Sequence, residues 1–210
     1  MDIPLWMWRY AEEITSNFDS SHDLYHLVNV YTYAKEIIQV DYPGVNIIEI
    51  LTPKQSLEAV YHAAFCHDLV DDKYVNTEIE IEKLEQFFLS HGYSFDQWRA
   101  VKYLINNISY SKQKKPGFTA KPEYKLALDI VSDADKLDAY RPERVVAYQK
   151  FKSKDHIKEW TKTILVKRIL NYRNGFLKTS HAMNLSLPMH EELEKYVEKN
   201  LSKVKMFDYK

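Results

Sequence analysis

The sequence predicts an all-α fold: a helical bundle spanning about residues 20–150, with a helical extension over about 151–210. Three observations carry this. Apolar residues recur at i, i+3, i+4 and i+7 through most of the chain. No run alternates apolar and polar residues as a half-buried strand does. Prolines and glycines fall between the periodic segments rather than inside hairpin-like pairs. At 210 residues against roughly 150 per domain, a single domain over 1–210 is the expectation.

Taken in order, Leu24–Asp41 places Leu24, Leu27, Val28, Tyr31, Ala34, Ile37 and Ile38 on one stripe. Leu57–Asp68 follows with Leu57, Val60, Tyr61 and Ala64, and Ile79–Phe88 is amphipathic. Trp98–Ile108 is preceded by Ser94-Phe-Asp-Gln97, the form of a capping box. Pro122 suits the first turn of a helix carrying Leu126, Ile130, Ala134 and Leu137. Beyond Pro142, Arg144–Phe151 and Ile157–Leu177 read as helices, and Pro188 is expected to open a last one reaching about residue 202.

Composition narrows the function. Four glycines are few against a usual share of about 7%, and neither phosphate-binding glycine signature occurs. P-loop and dinucleotide-fold chemistry is thereby excluded. Twenty-nine basic residues balance 30 acidic ones, so no nucleic-acid polymer is expected as partner. Cys66 stands alone, which rules out an intrachain disulfide and a cysteine zinc cluster. The N-terminus lacks the features of a signal peptide, and no apolar run approaches a membrane span. A cytoplasmic location, with no membrane partner, is the expectation.

The chemistry concentrates in acids and imidazoles on apolar faces. Of two His-Asp dipeptides, His67-Asp68 ends the apolar helix Ala59-Val-Tyr-His-Ala-Ala-Phe-Cys66, where a charged Asp is costly unless paired or bound to metal. His26 adjoins the stripe of the Leu24 helix, and Asp135 that of the Pro122 helix. Each alone is ordinarily a hydrogen-bonded histidine or a helix-face acid. Together, two imidazoles and two carboxylates from three helices suit a divalent ion in a bundle core.

These residues carry a resemblance. His26-Leu-Val-Asn-Val30, Ala63-Ala-Phe-Cys-His67-Asp68 and Asp133-Ala-Asp135-Lys-Leu resemble, in order and spacing, the HD-domain metal-dependent phosphohydrolases over about residues 20–150. Ser21-His-Asp-Leu-Tyr-His26, His67-Asp-Leu-Val-Asp-Asp-Lys-Tyr74, Ile108-Ser-Tyr110 and Asp133-Ala-Asp-Lys-Leu-Asp-Ala139 are closest to the small bacterial HD proteins typified by nucleotide pyrophosphohydrolases. The resemblance implies that His26, His67, Asp68 and Asp135 bind one metal ion, with Mn²⁺ foremost and Fe²⁺, Co²⁺, Ni²⁺ or Mg²⁺ as alternatives. It also implies a nucleotide or related phosphate compound as substrate. Asp71 and Asp72 fall where the related alarmone hydrolases carry Glu-Asp, tied there to activating water. One departure stands out: relatives carry small residues and glycine after the Asp-rich motif, whereas this chain has Tyr140-Arg-Pro-Glu-Arg-Val-Val146.

The residues read by themselves agree at a coarser level. A divalent ion acidifies water and polarises a phosphoryl oxygen, and Asp71 or Asp72 could accept a proton at the rim as general base. His22 could orient a ligand or protonate the leaving group. Lys73, Lys136, Arg141 and the loop bearing Lys112, Lys114 and Lys115 are candidate phosphate contacts, and Tyr110 a candidate for stacking a base. His62 and Cys66 read as core; His91, His156, His181 and His190 read as surface. The apolar faces of the C-terminal helices leave room for a homodimer. Two further readings stay open: an alarmone-type pyrophosphohydrolase, and a helical binding or regulatory protein with a structural metal.

Overall fold

The computed structural model describes residues 2–43, 57–152 and 155–207. Among these residues every regular element is helical, as the periodicity predicts. The α-helices are α1 (Leu5–Thr15), α2 (Leu24–Asp41), α3 (Leu57–Cys66), α4 (Thr77–Ser90) and α5 (Phe95–Asn107). They continue with the short α6 (Tyr110–Gln113), then α7 (Lys125–Asp138), α8 (Pro142–Lys152), α9 (Ile157–Lys167) and α10 (Ser180–Leu201). Single 3₁₀ turns, Pro122–Tyr124 and Ile169–Asn171, lead into α7 and out of α9. Helix α1 goes beyond the elements predicted above, although Met7, Tyr10 and Ala11 have helical spacing and are buried.

Helix α3 is the axis of the molecule. Every residue from Ala59 to Cys66 is buried, as expected of a helix apolar on all sides. It packs against α2, α5 and α7, while α2 and α7 also pack directly on each other. The caps fix where these helices start. Asp23 accepts the His26 N–H at the head of α2, and Asn76 accepts the Glu78 and Ile79 N–H groups at the head of α4. Ser94 and Gln97 form the predicted capping box on α5.

The extension differs from its sequence pattern in two places. The expected helix Ile157–Leu177 ends at Lys167, and Gly175 adopts φ +90°, a conformation open to glycine. The last helix begins at Ser180 rather than at Pro188, which lies inside it. Its first-turn donors are met by acids from other helices. Asp133 Oδ2 accepts the Lys178 and Thr179 N–H groups and the Thr179 hydroxyl at 2.7–2.9 Å. Both Asp41 oxygens lie 3.0 Å from the His181 N–H. Those acceptors start the helix early enough to outweigh the bond that Pro188 cannot donate. Helix α10 thereby packs on α2 and α7, and α9 on α8. Buried apolar residues from α1 through α10 form one continuous core.

Candidate metal centre

Three segments converge at one end of the α2–α3–α7 packing. His26 sits in the first turn of α2, behind its Asp23 cap. His67 and Asp68 follow the last residue of α3, so the helix is two residues shorter than predicted. Asp135 lies on α7. The His67 Nδ1–H donates to the Ala64 carbonyl at 2.9 Å, satisfying an acceptor that the helix end leaves open. The His26 Nδ1–H donates to Asp138 Oδ2 at 2.7 Å. Both imidazoles therefore turn Nε2 inward, where the two nitrogens stand 3.1 Å apart.

The carboxylates close the cluster. Asp68 Oδ2 is 3.1 Å from His26 Nε2, and Asp68 Oδ1 is 3.4 Å from His67 Nε2. Asp135 Oδ1 lies 3.7 and 3.8 Å from the same two nitrogens. His26, His67 and Asp135 offer ligand atoms within 4.8 Å of one another, a set that could hold a metal ion.

The local chemistry fits a cation. Two Nε2 atoms facing each other at 3.1 Å repel through their lone pairs unless a proton or cation lies between them. Asp68 Oδ2 is buried without a hydrogen-bond partner, a costly state that a bound cation relieves. Burial alone would raise the Asp68 carboxyl, yet His67 and His26 hold it well below its ordinary range. Burial opposes the charged form of His67, but Asp68 and then Asp135 push it up to about 9. Asp138 backs His26 as a carboxylate: against burial, its bonds to His26 and Arg141 keep its pKa far down. A buried acid behind a ligating imidazole is the usual way of orienting it and raising its basicity.

A cavity of about 760 Å³ opens from this cluster, lined by His67, Asp68 and Asp135 at one end. His22, Asp71, Asp72, Lys73, Tyr110 and Lys112 line it too, so most of the predicted site residues share one space. Within it, Asp71 accepts from the Lys73 backbone and from its ammonium at 2.6 Å, while Asp72 lies on the exposed rim. Lys112 donates to the Asn106 carbonyl. Tyr110 is mostly buried against Tyr172 and Phe176.

Four predicted phosphate contacts lie outside the cavity lining: Lys114 and Lys115, both exposed, and Lys136 and Arg141. Lys136 is buried, donates to the Ser132 carbonyl and faces Asp133. Arg141 makes two 2.7 Å bonds to Asp138, and its guanidinium covers Tyr25. Of the histidines read as surface, His91 and His156 are exposed. His181 and His190 are instead half-buried beside Glu36 and Glu194.

No family model matches the sequence, and no curated protein matches it. Solved structures do match. A Lactobacillus plantarum protein, solved as a structural-genomics target, aligns over 96% of this chain and 98% of its own, with a TM-score of 0.72 at 17% identity. Bacillus subtilis YpgQ aligns over 95% of this chain and 98% of its own, with a TM-score of 0.65 at 18% identity. The chain has the fold of these proteins.

Several residues at the site go beyond the predicted set. Arg144, in the first turn of α8, donates from Nη2 to His26 Nε2 at 2.8 Å and from Nη1 to Asp135 at 3.5 Å. The sequence held a signal for it, an arginine in Tyr140–Val146, the stretch that departs from the pattern of the proteins the sequence resembles. Tyr148 lines the cavity from further along α8. Arg168 and Tyr172 reach the cavity from the extension, with Arg168 over the Tyr110 ring and bonded to the Tyr172 hydroxyl at 2.8 Å. Asp19 and Tyr74 hold His22. Its Nδ1 lies 2.8 Å from the Tyr74 hydroxyl, 2.6 Å from the Ser21 hydroxyl and 3.5 Å from Asp19, to which Tyr74 also bonds. Burial lowers the His22 pKa, and Asp19 works against that. No spacing in the sequence announces an Asp-Tyr-His contact that spans 55 residues.

Proposed function

We propose that this protein is an HD-type, metal-dependent phosphohydrolase acting on nucleotides or related phosphate compounds, with Mn²⁺ as the favoured ion. The observation that carries the reading is the meeting of His26, His67, Asp68 and Asp135 at the head of a cavity lined with cationic side chains, with Asp68 Oδ2 buried and without a hydrogen-bond partner. Those four residues would hold the ion. When bound, a divalent ion supplies Lewis acidity, acidifying water and neutralising charge on a phosphoryl group.

The chain's own residues supply the rest. Asp138 and the Ala64 carbonyl keep the Nδ1 protons of His26 and His67 in place, so both ligands present Nε2. Lys73, Lys112, Arg144 and Arg168 line the cavity and suit an anionic substrate. With Nδ1 turned to Asp19 and Tyr74, His22 is left with Nε2 to deliver a proton to a leaving oxygen. Asp71 is engaged by Lys73, so Asp72 is the carboxylate better placed to accept a proton from water.

Metal analysis of the wild type beside Asp68→Ala and Asp135→Ala, followed by Mn²⁺-supported turnover of a (d)NTP panel, tests the proposal. The expected result is one ion per chain, lost in both variants together with turnover. Unchanged metal content in both would sink the centre. Bound metal with no turnover of any phosphate compound would leave a structural ion and no enzyme. Because Asp71 and Asp72 both line the cavity, an alarmone-type pyrophosphohydrolase is the second reading. Release of pyrophosphate from ordinary (d)NTPs favours the first reading, and release from alarmones alone favours the second.

A further inference from the structure

Arg144 touches the candidate ligands in a way that a purely substrate-binding arginine would not. The His26 Nδ1–H is committed to Asp138, so Nε2 offers a single lone pair. Arg144 Nη2 uses that lone pair at 2.8 Å, and the guanidinium also stands 3.5 Å from Asp135 and 3.9 Å from Asp68. A metal ligated by His26 needs the same lone pair and the same carboxylates. The two cations therefore exclude one another at these atoms.

The arginine is built into this position. Its Nε–H donates to the Ser21 carbonyl at 2.6 Å, at the turn that leads into α2. Its Cα lies in the first turn of α8, packed beside the cavity that Arg144 itself lines. Displaced from His26, the guanidinium loses its nitrogen acceptor while still facing that cavity, where an oxyanion is the natural replacement.

We propose that Arg144 is a metal-displaced arginine: it competes with the ion for His26 Nε2 and the neighbouring carboxylates, and metal loading releases it as an anion-binding group of the cavity. The inference rests on the metal-centre reading and adds to it an ordered relation, in which metal binding precedes and strengthens anion binding. Because linkage is reciprocal, a bound oxyanion must also tighten the metal.

The test uses the full-length protein and needs no turnover. Wild type is treated with phenylglyoxal, with and without saturating Mn²⁺, and modification of Arg144 is read by peptide mass spectrometry. Labelling of Arg144 should rise several-fold on metal loading, because its present acceptors shield it. Equal labelling in both states would overturn the displacement, including the case in which Arg144 merely repels the ion through its charge. Mn²⁺ affinity is measured alongside in Arg144→Gln by counting free ion with electron paramagnetic resonance. About tenfold tighter binding is expected once a competing charge-assisted bond is removed; equal or weaker affinity would overturn the competition. Sulfate is the anion probe. It should bind the Mn²⁺-loaded wild type more tightly than the loaded variant, and the metal-free pair alike. A sulfate difference of the same size without metal would overturn the release step. Loss of Mn²⁺ binding from both proteins would instead remove the metal centre itself. Tight metal binding with these shifts but no phosphate hydrolysis would leave Arg144 as proposed and sink only the enzyme.

Discussion

Asp133 and Asp135 stand two residues apart on α7 and live in opposite environments. Asp133 is completely buried, and its Oδ2 accepts three donors from the start of α10. Lys136 lies 4.0 Å from its Oδ1. Asp135 has a side chain 22% exposed toward the cavity, and His26, His67 and Arg144 stand 3.5–3.8 Å from it, longer than good hydrogen bonds. Two residues turn about 200° around a helix, so one motif serves two faces. The contrast separates two uses of a buried carboxylate. Where three donors take one oxygen and an ammonium faces the other, the acid joins elements; where imidazoles surround it at longer range, it is ready for a cation. Neither burial nor a single unbonded oxygen distinguishes them, since Asp133 Oδ1 and Asp68 Oδ2 are both buried without a hydrogen-bond partner; the groups that face the carboxylate do.

The sharpest way to break this contrast is to remove each acid in turn. Asp133→Ala should cost about 3–5 kcal/mol, the usual effect of stranding a buried partner, because Lys136 loses its counter-charge and α10 its acceptor. The folded fraction should still bind one metal ion. Asp135→Ala should do the reverse, losing metal while denaturant unfolding of the metal-free protein stays within about 1 kcal/mol of wild type. Urea titration and metal analysis on both variants read this directly. Metal loss from Asp133→Ala at full stability would mean that the faces are not separate. Lys136→Met combined with Asp133→Asn should be less damaging than the sum of the two single changes, since the pair is strained by burial. Burial raises the Asp133 carboxyl and lowers the Lys136 amine.

The next test stays on the metal face. Asp138→Asn removes the charge that orients His26 while leaving its shape, and should weaken Mn²⁺ binding about 10–100-fold. Affinity should also follow pH. In the metal-free protein the His67 pKa is pushed up to about 9, and the ligand must be neutral, so binding below that pH expels a proton. Mn²⁺ affinity should therefore rise about tenfold per pH unit toward pH 9 and level off above it. Metal-free stability runs the other way. The contribution from charged His67 is complete below its unfolded value of 6.5 and is lost as pH climbs through about 9. Calorimetric titration across pH 6–10 checks both, and a flat profile would refute the His67 assignment.

How much of this was legible in the sequence follows from the range of each interaction. Helices α2, α5 and α7 were readable because apolar period and caps are local, as Ser94 and Gln97 show. His26, His67, Asp68 and Asp135 were readable because each breaks an apolar stripe with a group that needs a partner. Pro188 misled because the acceptors that start α10 at Ser180 come from Asp133 and Asp41, 46 and 140 residues away. Lys136 and Arg141 misled for a related reason. Adjacency to an acidic motif says nothing of which face a side chain takes: Lys136 faces Asp133 and Arg141 bonds Asp138, both outside the cavity lining. Arg168 and Tyr172 reach the cavity only through the packing of the extension, which no local pattern encodes.

The smallest expected effect lies between the two faces, at His22. Tyr74 bonds both Asp19 and His22 Nδ1, so it holds the ring without touching any metal-ligand candidate in the described contacts. Asp19 stays ionised, its carboxyl held far down against burial by bonds from His22, Ser21 and Tyr74. Tyr74→Phe keeps the ring packed on Phe18 and deletes only the hydroxyl. Metal stoichiometry and affinity should not change. If His22 carries a proton to the leaving group, kcat should fall a few-fold, and the acid limb of its pH profile should move because Asp19 then faces His22 with one donor fewer. A drop in kcat with an unmoved profile would assign Tyr74 to packing alone. Loss of metal would mean that the His22 turn and the ligand cluster are one unit, and the distinction between acids that face imidazoles and acids held by protein donors would then fail at its closest point.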